Sequence, residues 1–426
     1  MSEQEILSRI NELIKDYFSL SKEKFIPGKT KIPLNTISYN WEEVNEALES
    51  LLTTWVTMGK KVRRFENLFA DYIGAKDAVM VNSGSSANLL ALSVLTNPAK
   101  KDKINPRDEI ITPAVTWATT VYPILNVNAV PVLVDVDIET CNASIEEIEK
   151  AITKKTKAIM PVHLLGNPCN MKEIMEIAEK HGLYVIEDAC EAHGAEFEGK
   201  KVGSFGHVST FSFFWSHHIT TVEGGMVLSE DEEILELTRA LRAFGWVRNL
   251  KDKENLVRKY SHIDPRFLFV NIGYNVRPTE IQGSFGIHQM KKLDNYIKIR
   301  RENAKFWNET LEKFSDFLML PREREGFKHV YFGYPVTMKE GSPFTMKELT
   351  DHLEKAKIET RPIMVGNMTE QPSMKLFQYK AVGELPNSKY IMRNSFFFGN
   401  HQGIGEEERQ YIADVISGFI RKRAKS

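Results

Sequence analysis

The chain has 426 residues, with 56 Lys or Arg against 57 Asp or Glu and a formal net charge of -1 at pH 7. This balance excludes the basic surface field that nucleic-acid binding requires, and at roughly 150 residues per domain the length allows two or three domains.

Cys141, Cys169 and Cys190 are too few for a disulfide framework or a four-cysteine metal site. No apolar run approaches the ~18 residues of a membrane span, and the charged N-terminus does not resemble a signal peptide, so we expect a cytoplasmic protein without a membrane partner.

The first 30 residues form an amphipathic segment that precedes the body of the chain. Its apolar side chains share one helical face, namely Ile6, Ile10, Leu13, Ile14, Tyr17 and Phe18. The turn dipeptide Pro27-Gly28 follows this segment. We therefore predict an N-terminal helical extension over residues 1–30, whose apolar face covers the body or a partner subunit.

Between about residues 65 and 230, short apolar runs alternate with helical segments. The predicted strands are Asp77–Val81, Glu109–Pro113, Val130–Asp135, Ala158–Val162, Tyr184–Glu187, Ser209–Phe213 and Met226–Ser229. The predicted helices include Ser86–Leu95, Ile145–Ile152, Met171–His181 and Glu232–Ala243. This alternation predicts an α/β fold with a mainly parallel sheet covered on both faces. Ligands of such sheets bind at the carboxyl ends of the strands.

Beyond about residue 290 the pattern changes to long charged helices around a strand-like segment. The relevant stretches are KKLDNYIKIRRENAKFWNETLEKF, HVYFGYPVTM, TMKELTDHLEKAKI and EEERQYIADVISGFIRKR. They predict a smaller α+β domain over residues 291–426, which leaves residues 31–290 as a large domain.

Three polar or aromatic features lie just after predicted strands. The segment 82–88 (NSGSSAN) joins a strand to a helix, and its small residues suit an anion at a helix N-terminus, although such caps also occur without ligands. Asp188 closes the apolar run LYVIED, where a carboxylate either anchors a ligand or serves the structure. Trp117 follows another strand and is either a core residue or an aromatic wall.

A fourth feature is the segment 212–225, which contains Ser212, two adjacent histidines and a Gly-Gly pair. The pair His217-His218 first suggests a metal site. Adjacent side chains of an extended segment point to opposite faces, however, and no HExxH-like spacing is present. We therefore expect no metal.

Taken in order, these four features resemble the pyridoxal-phosphate site of the sugar aminotransferase (DegT/DnrJ/EryC1/StrS) family. The resemblance extends from about Ile32 to the C-terminal helix. It implies an aspartate aminotransferase-like fold of type I, with a mixed, mostly parallel seven-stranded sheet in the large domain and a smaller C-terminal α+β domain. It also implies a homodimer with shared active sites, because the family segment that Gly273–Arg277 resembles reaches into the active site of the neighbouring subunit.

The departure from the family pattern lies at His217. Aligning S-H-H-I with the family's T-K-N-I places His217 where the family has the lysine that binds the cofactor covalently. Histidine at this position resembles the 3-dehydratase branch, and the segments SSANLLAL, SHHITTVEGG, FGWVRNL, GYNVRP, RPIMVGN and FFFGNHQ resemble its GDP-linked members. The CDP-linked branch uses a four-cysteine iron–sulfur cluster, whereas this sequence has no cysteine after Cys190.

The resemblance implies a role for each matching residue. His217 is the catalytic proton carrier, while Trp117 stacks on the cofactor ring, Asp188 pairs with its pyridine nitrogen and Glu191 approaches its hydroxyl. The implied phosphate ligands are Gly84, Ser85, Ser212 and, from the partner subunit, Asn275. Substrate contacts are expected in six positions, namely Tyr39, Trp41, Trp246, Arg248, Arg361 and Asn400.

The activity implied is removal of the 3-hydroxyl of a nucleotide-linked 4-keto-6-deoxyhexose, with GDP-4-keto-6-deoxymannose as the favoured substrate. L-Glutamate would donate an amino group that converts pyridoxal 5'-phosphate to pyridoxamine 5'-phosphate. The product would serve 3,6-dideoxysugar biosynthesis for lipopolysaccharide O-antigen.

Three alternatives stay open from the sequence. The substrate could be CDP-linked without an iron–sulfur cluster. The protein could be an aminotransferase that uses another lysine, of which Lys200, Lys201, Lys60 and Lys61 are the nearest candidates. It could also be an inactive relative that binds a nucleotide sugar.

Overall fold

A computed structural model describes residues 2–20 and 24–424 of the chain. The helices are α1 Glu3–Ser19, α2 Trp41–Leu52, α3 Lys60–Ile73, α4 Gly84–Leu95, α5 Ala118–Asn126, α6 Ile145–Ala151, α7 Met171–His181, α8 Glu232–Arg242, α9 Lys253–Lys259, α10 Glu280–Gln289, α11 Leu293–Leu311, α12 Met346–Lys355, α13 Pro386–Asn394 and α14 Glu406–Arg423. The strands are β1 Asp77–Val81, β2 Glu109–Pro113, β3 Val130–Val134, β4 Thr156–Ile159, β5 Tyr184–Asp188, β6 Glu196–Phe197, β7 Lys200–Lys201, β8 Val208–Ser212, β9 Gly225–Ser229, β10 Leu318–Met319, β11 Phe327–Lys328, β12 Gly333–Met338, β13 Thr360–Pro362, β14 Lys380–Ala381 and β15 Ser395–Gly399.

The largest sheet has the strand order β1-β9-β8-β5-β4-β2-β3-β14. Strand β9 runs antiparallel to its neighbours β1 and β8, and the remaining strand pairs of this sheet are parallel. Strands such as β1 and β2 are buried along their whole length, as expected for strands covered by helices on both faces. The predicted mainly parallel α/β sheet is confirmed.

The sheet has one strand more than the seven expected. The additional strand β14 comes from the C-terminal part of the chain and pairs with β3 through Lys380 and Val132. Strand β14 consists of only two residues, and both are exposed. It contains no apolar run, which is the sequence pattern that predicts a buried strand.

The register of the sheet brings several strand ends to one edge. Gly225, at the start of β9, pairs with Val81 at the end of β1 and with Ser212 at the end of β8. Strand β5 ends at Asp188 beside β8. The loops that follow β1, β5 and β8 therefore meet at the carboxyl edge of the sheet.

A second sheet, with the order β10-β12-β15-β13, is formed by the C-terminal part of the chain. It packs with α11, α12 and α14 around Trp307 and Tyr334, which are fully buried. Ile32 also belongs to this core and forms a bridge with Ile358. The division into residues 31–290 and 291–426 stays a proposal, since β14 joins the large sheet and Ile32 joins the smaller core.

The N-terminal helix α1 begins with a capping box between Ser2 and Glu5 and has no buried residue. It contacts α2, where the Lys15 ammonium lies 5.3 Å from the centre of the Trp41 ring. Residues 1 and 21–23 of the predicted extension lie outside the described residues. Within residues 2–20 and 24–424, no helix combines the length and apolar character needed to cross a bilayer.

Candidate active site

A cavity of about 400 Å³ opens at the carboxyl edge of the large sheet. Seven residues singled out in the sequence line it, namely Gly84, Ser85, Trp117, Asp188, Glu191, Ser212 and His217. They come from the carboxyl ends of four strands, β1, β2, β5 and β8, and from the segments that follow them, and the sheet order brings these ends to one edge.

One end of the cavity is the N-terminus of α4. The Ser83 hydroxyl caps this helix by accepting a hydrogen bond from the Ser86 N–H at 3.1 Å. A Cβ atom at Gly84 would lie 2.4 Å from the Ser212 Cβ, so only glycine lets the helix start approach β8 this closely. The first turn of α4 contains no acidic residue. Its free N–H groups and the nearby Ser212 hydroxyl form an environment suited to a phosphate.

At the centre of the cavity, the Asp188 carboxylate is held in one orientation. Its Oδ2 accepts hydrogen bonds from Asn88 Nδ2 at 2.9 Å and from Thr120 Oγ1 at 2.8 Å. Its Oδ1 accepts the Cys190 N–H at 3.2 Å. Asn88 is itself fixed, because its Oδ1 accepts from Thr210 Oγ1 at 2.6 Å. Such a carboxylate could bind a protonated pyridine nitrogen.

No motif in the sequence marks Asn88, Thr120 or Thr210 as partners of Asp188. Asn88 ends the segment 82–88 and Thr120 follows Trp117 by three residues, so both lie close to the predicted site motifs. Their common partner Asp188 lies 100 and 68 residues away along the chain. Only the fold shows that they act on the same carboxylate.

The walls of the cavity include Trp117 and Glu191. Trp117 precedes α5 and is 56% exposed, which leaves its ring face available to a ligand. Glu191 accepts a hydrogen bond from the Leu165 N–H at 2.7 Å. Burial raises the pKa of Glu191 to about 8, against a lowering by the Leu165 hydrogen bond and with a smaller upward contribution from the neighbouring Asp188. Glu191 therefore carries a proton at neutral pH and can donate it to a hydrogen bond.

His217 also lines the cavity. Its ring lies edge-on to Phe332 at a centroid distance of 5.3 Å and to His193 at 6.1 Å. Its Nδ1 is buried without a protein hydrogen-bond partner, which leaves Nε2 as the nitrogen available to the cavity. Burial, together with the charge of Arg300, lowers the pKa of His217 to about 3. The ring is thus an unprotonated base at neutral pH.

The adjacent His218 has a different environment. It is fully buried, and its Nε2 contacts the Val330 carbonyl at 3.1 Å. The two histidines thus do not converge on one point. Among the described residues, no group of three or more His, Cys, Asp or Glu side chains is arranged to hold a metal ion.

None of the described residues that line the cavity is a lysine. Lys200 and Lys201 form β7 in a small sheet with β6 and β11, and their ammonium groups lie over the rings of Phe205 and Tyr72. Lys61 begins α3 with its neighbour Lys60 and pairs with Glu46 at 2.9 Å. The candidate lysines of the sequence analysis are therefore outside the cavity.

Three further predicted residues, Trp246, Arg248 and Asn275, lie outside the cavity. Trp246 stacks on Phe269 at 6.1 Å, and the Arg248 guanidinium lies 5.1 Å from the centre of the Trp246 ring. Asn275 forms a bridge with Ala243 and accepts a hydrogen bond from Arg277 Nε at 3.0 Å. The structure therefore groups these residues but does not bring them to His217 of the same chain.

The other predicted substrate contacts are dispersed. Tyr39 packs against Phe285, and Trp41 begins α2 below Lys15. Arg361 is exposed and pairs with Glu359 at 2.8 Å. Asn400 is fully buried and donates through Nδ2 to the Arg300 carbonyl at 3.0 Å, so its amide is occupied by the protein itself.

The large mixed sheet, with a cavity of this construction at its carboxyl edge, defines an aspartate aminotransferase-like protein, which is fold type I among pyridoxal-phosphate enzymes. The chain belongs to the DegT/DnrJ/EryC1/StrS aminotransferase family, whose model matches residues 38–417.

Individual relatives carry more specific names. The chain is 41% identical over 384 residues to a GDP-4-keto-6-deoxy-D-mannose 3-dehydratase of Escherichia coli O55:H7, covering 89% of this chain and 98% of the relative. It is 34% identical over 436 residues to the lipopolysaccharide biosynthesis protein RfbH of Salmonella typhimurium, covering 99% of both. A crystal structure of GDP-4-keto-6-deoxymannose-3-dehydratase with a trapped PLP-glutamate geminal diamine superposes with a TM-score of 0.86 at 39% identity, covering 90% of this chain and 99% of the other.

Proposed function

We propose that this protein is a pyridoxal/pyridoxamine-phosphate-dependent 3-dehydratase that acts on GDP-4-keto-6-deoxymannose with L-glutamate as amino donor. One observation carries the proposal. The cavity that fits the cofactor contains His217 and, among the described residues, no lysine that could bind the cofactor aldehyde. Without such a covalent bond, the cofactor can act as a free amine. An imidazole cannot form that bond but can carry protons.

The residues of the cavity fit pyridoxal or pyridoxamine phosphate. The start of α4, around Gly84 and Ser85, and the Ser212 hydroxyl would hold the phosphate. Trp117 would stack on the ring, and Asp188, fixed by its two side-chain donors, would bind the pyridine nitrogen. When bound, the cofactor supplies an amine for the 4-keto carbon and a protonated ring that accepts electrons. Glu191, which carries a proton, would donate to the ring hydroxyl.

His217 would perform the proton transfers. In its unprotonated form it would accept at Nε2 the proton released from the carbon that carries the cofactor's amine, and it would then donate this proton to the 3-hydroxyl, which would leave as water. One imidazole can do both if each proton position lies within ~3 Å of that nitrogen. Its pKa is low without ligands, and anionic phosphates bound in the cavity would raise it.

We also propose a homodimer in which Asn275, Trp246 and Arg248 of one subunit serve the site of the other. These residues lie on a surface with exposed apolar side chains, namely Phe244, Phe267, Phe269, Ile272 and Tyr274. A patch of this kind is typical of a protein interface. An interface here would account for the position of Asn275 outside its own subunit's cavity.

The nucleotide and the biological role follow from the relatives. GDP is favoured because the relative at 41% identity is named for a GDP-linked substrate. RfbH is named for lipopolysaccharide biosynthesis, which supports a role in making a 3,6-dideoxysugar for O-antigen. Three free cysteines, two of them buried, agree with the reducing conditions of the cytoplasm.

Incubation of the purified protein with pyridoxal phosphate, glutamate and GDP-4-keto-6-deoxymannose tests the proposal. We expect release of ammonia and 2-oxoglutarate together with a sugar nucleotide that has lost the 3-hydroxyl, detected by mass spectrometry. The CDP-linked 4-keto-6-deoxyglucose should react more slowly.

The alternatives predict different products. An aminotransferase would yield an amino sugar that keeps the 3-hydroxyl and would release no ammonia. An inactive relative would bind the nucleotide sugar without consuming glutamate. Either result would refute the proposed dehydration.

A further inference from the structure

Arg300, on α11, is a buried cation behind the active-site cavity. It is only 1% exposed, and its Nη1 donates to the carbonyl groups of Phe332 at 2.9 Å and Tyr331 at 3.3 Å, as well as to that of Asn400. Its Nε and Nη2 have no protein hydrogen-bond partner. Within the described part of the chain, Arg300 forms no ion pair with a carboxylate, and burial lowers its pKa to about 9. A buried charge without a counter-ion is costly and needs a reason.

The neighbours of Arg300 are imidazoles. Burial lowers the pKa values of four histidines, and the charge of Arg300 lowers them further; these are His193, His217, His218 and His401. All of them except His217 have side chains that are almost completely buried. Since none can gain a proton easily beside a fixed cation, Arg300 is the single charge of this cluster.

Arg300 reaches His217 through one residue. The Phe332 carbonyl accepts from Arg300, and the Phe332 ring packs edge-on against His217 at 5.3 Å. The Phe332 N–H in turn donates to the carbonyl of Leu165 at 2.8 Å, and the Leu165 N–H donates to Glu191, which lines the cavity. Loss of Arg300 would therefore remove the hydrogen bond that fixes the carbonyl of Phe332, the residue that packs against the imidazole.

We propose that Arg300 is a positioning residue for His217. It holds Phe332 against the imidazole and supplies a fixed positive charge that favours the unprotonated ring. This inference rests on the proposed role of His217 as the proton carrier. Other titratable groups that face His217 are His193 and His218 from behind and, across the cavity, Asp188, Cys190, Glu191 and Glu223.

The test is a pH titration of the His217 imidazole by NMR in the cofactor-free protein labelled with nitrogen-15 histidine, in which His217→Asn assigns the signal. The parent ring should stay unprotonated well below the ordinary histidine value of about 6.5. In Arg300→Met the midpoint should rise by about one pH unit or more, because a nearby positive charge is gone. Arg300→Lys, which keeps the charge, should stay close to the parent.

Arg301→Met is the matched control, because Arg301 is the next residue of α11 and donates to the His329 carbonyl at 2.8 Å. It should leave the His217 titration unchanged. An unchanged midpoint in folded Arg300→Met would overturn the inference. A parent protein in which His217 titrates near pH 6.5 would also overturn the inference. This second outcome can be measured even if the Arg300→Met variant does not fold.

The same charge predicts a kinetic effect that a purely structural role would not produce. In Arg300→Met the acid limb of the pH–rate profile for dehydration should move to higher pH, because His217 becomes protonated more easily. The NMR titration needs no substrate. A parent that fails to dehydrate the sugar nucleotide but keeps a low His217 midpoint would therefore refute only the proposed function.

Discussion

Replacing Gly84 by alanine tests the phosphate end of the proposed site most directly. The added Cβ would lie 2.4 Å from the Ser212 Cβ and 2.8 Å from its Oγ, whereas ordinary contacts between such atoms exceed 3.4 Å. The neighbouring atoms belong to β8 and cannot rotate away, because the Ser212 Cα is itself only 3.1 Å from the added carbon. Either the start of α4 or the end of β8 must therefore move.

Overpacking by one methyl group in a tight site costs about 1–3 kcal/mol. Because α4 and Ser212 are proposed to hold the phosphate, we expect most of this cost to appear as weaker cofactor binding. At about 1.4 kcal/mol per tenfold change, Gly84→Ala should raise the Kd for pyridoxal phosphate by roughly 5-fold to 150-fold.

Titration with the cofactor, followed by absorbance, measures the loss of cofactor affinity. Thermal unfolding of the cofactor-free protein measures the loss of stability. Gly418→Ala is the matched control, because Gly418 lies in α14 with no atom within 4 Å of an added Cβ. This exchange should leave the Kd unchanged and stabilise the protein by about 0.5–1 kcal/mol. A Gly84→Ala protein with parental Kd and parental stability would refute the reasoning.

Three further predictions concern single residues of the site. In His217→Lys, borohydride reduction should fix the cofactor to the protein, which it should not do in the parent, and dehydration should fall at least about 100-fold; dehydration at the parental rate would show that His217 does not carry the proton. Burial raises the pKa of Glu191 to about 8. Between the usual glutamate pKa and this raised value, the folded cofactor-free protein keeps a proton on Glu191 that the unfolded chain releases. The free energy of unfolding therefore falls as the pH rises through this range. Glu191→Gln should therefore gain thermal stability relative to the parent from about pH 5 to about pH 8, and a constant difference in Tm between the two proteins would contradict this. If active sites are shared, mixing inactive His217→Asn and Asn275→Ala subunits should restore roughly a quarter of parental activity, since half of the dimers then contain one intact site; a mixture no more active than its components would argue against Asn275 crossing the interface.

Much of the large sheet could be predicted because its strands are locally distinctive. β1 and β2 match the predicted ranges, and the other predicted strands are displaced by no more than two or three residues. The two-residue strand β14 could not be predicted, since its pairing with β3 depends on chain segments about 250 residues apart. The insertion of antiparallel β9 between β1 and β8 is likewise a matter of long-range pairing.

The same distinction holds for the candidate site. Gly84, Asp188 and His217 could be singled out because each lies in a short motif at the end of a strand or shortly after it. The partners that fix their chemistry are remote, as shown by Thr120 on Asp188 and by Arg300 behind His217. No local pattern marks such residues, because their role arises from hydrogen bonds and charges across the fold.

The sequence by itself determined which kind of proton chemistry this protein can perform, because an imidazole at position 217 can exchange protons but cannot form the bond that an amine would form. The tertiary structure decided which surroundings that imidazole has. It placed a buried guanidinium near the ring, buried the Asn400 amide in the protein interior and left Trp246 outside the cavity. These outcomes depend on burial and on contacts between distant segments, and both exist only once the chain has folded.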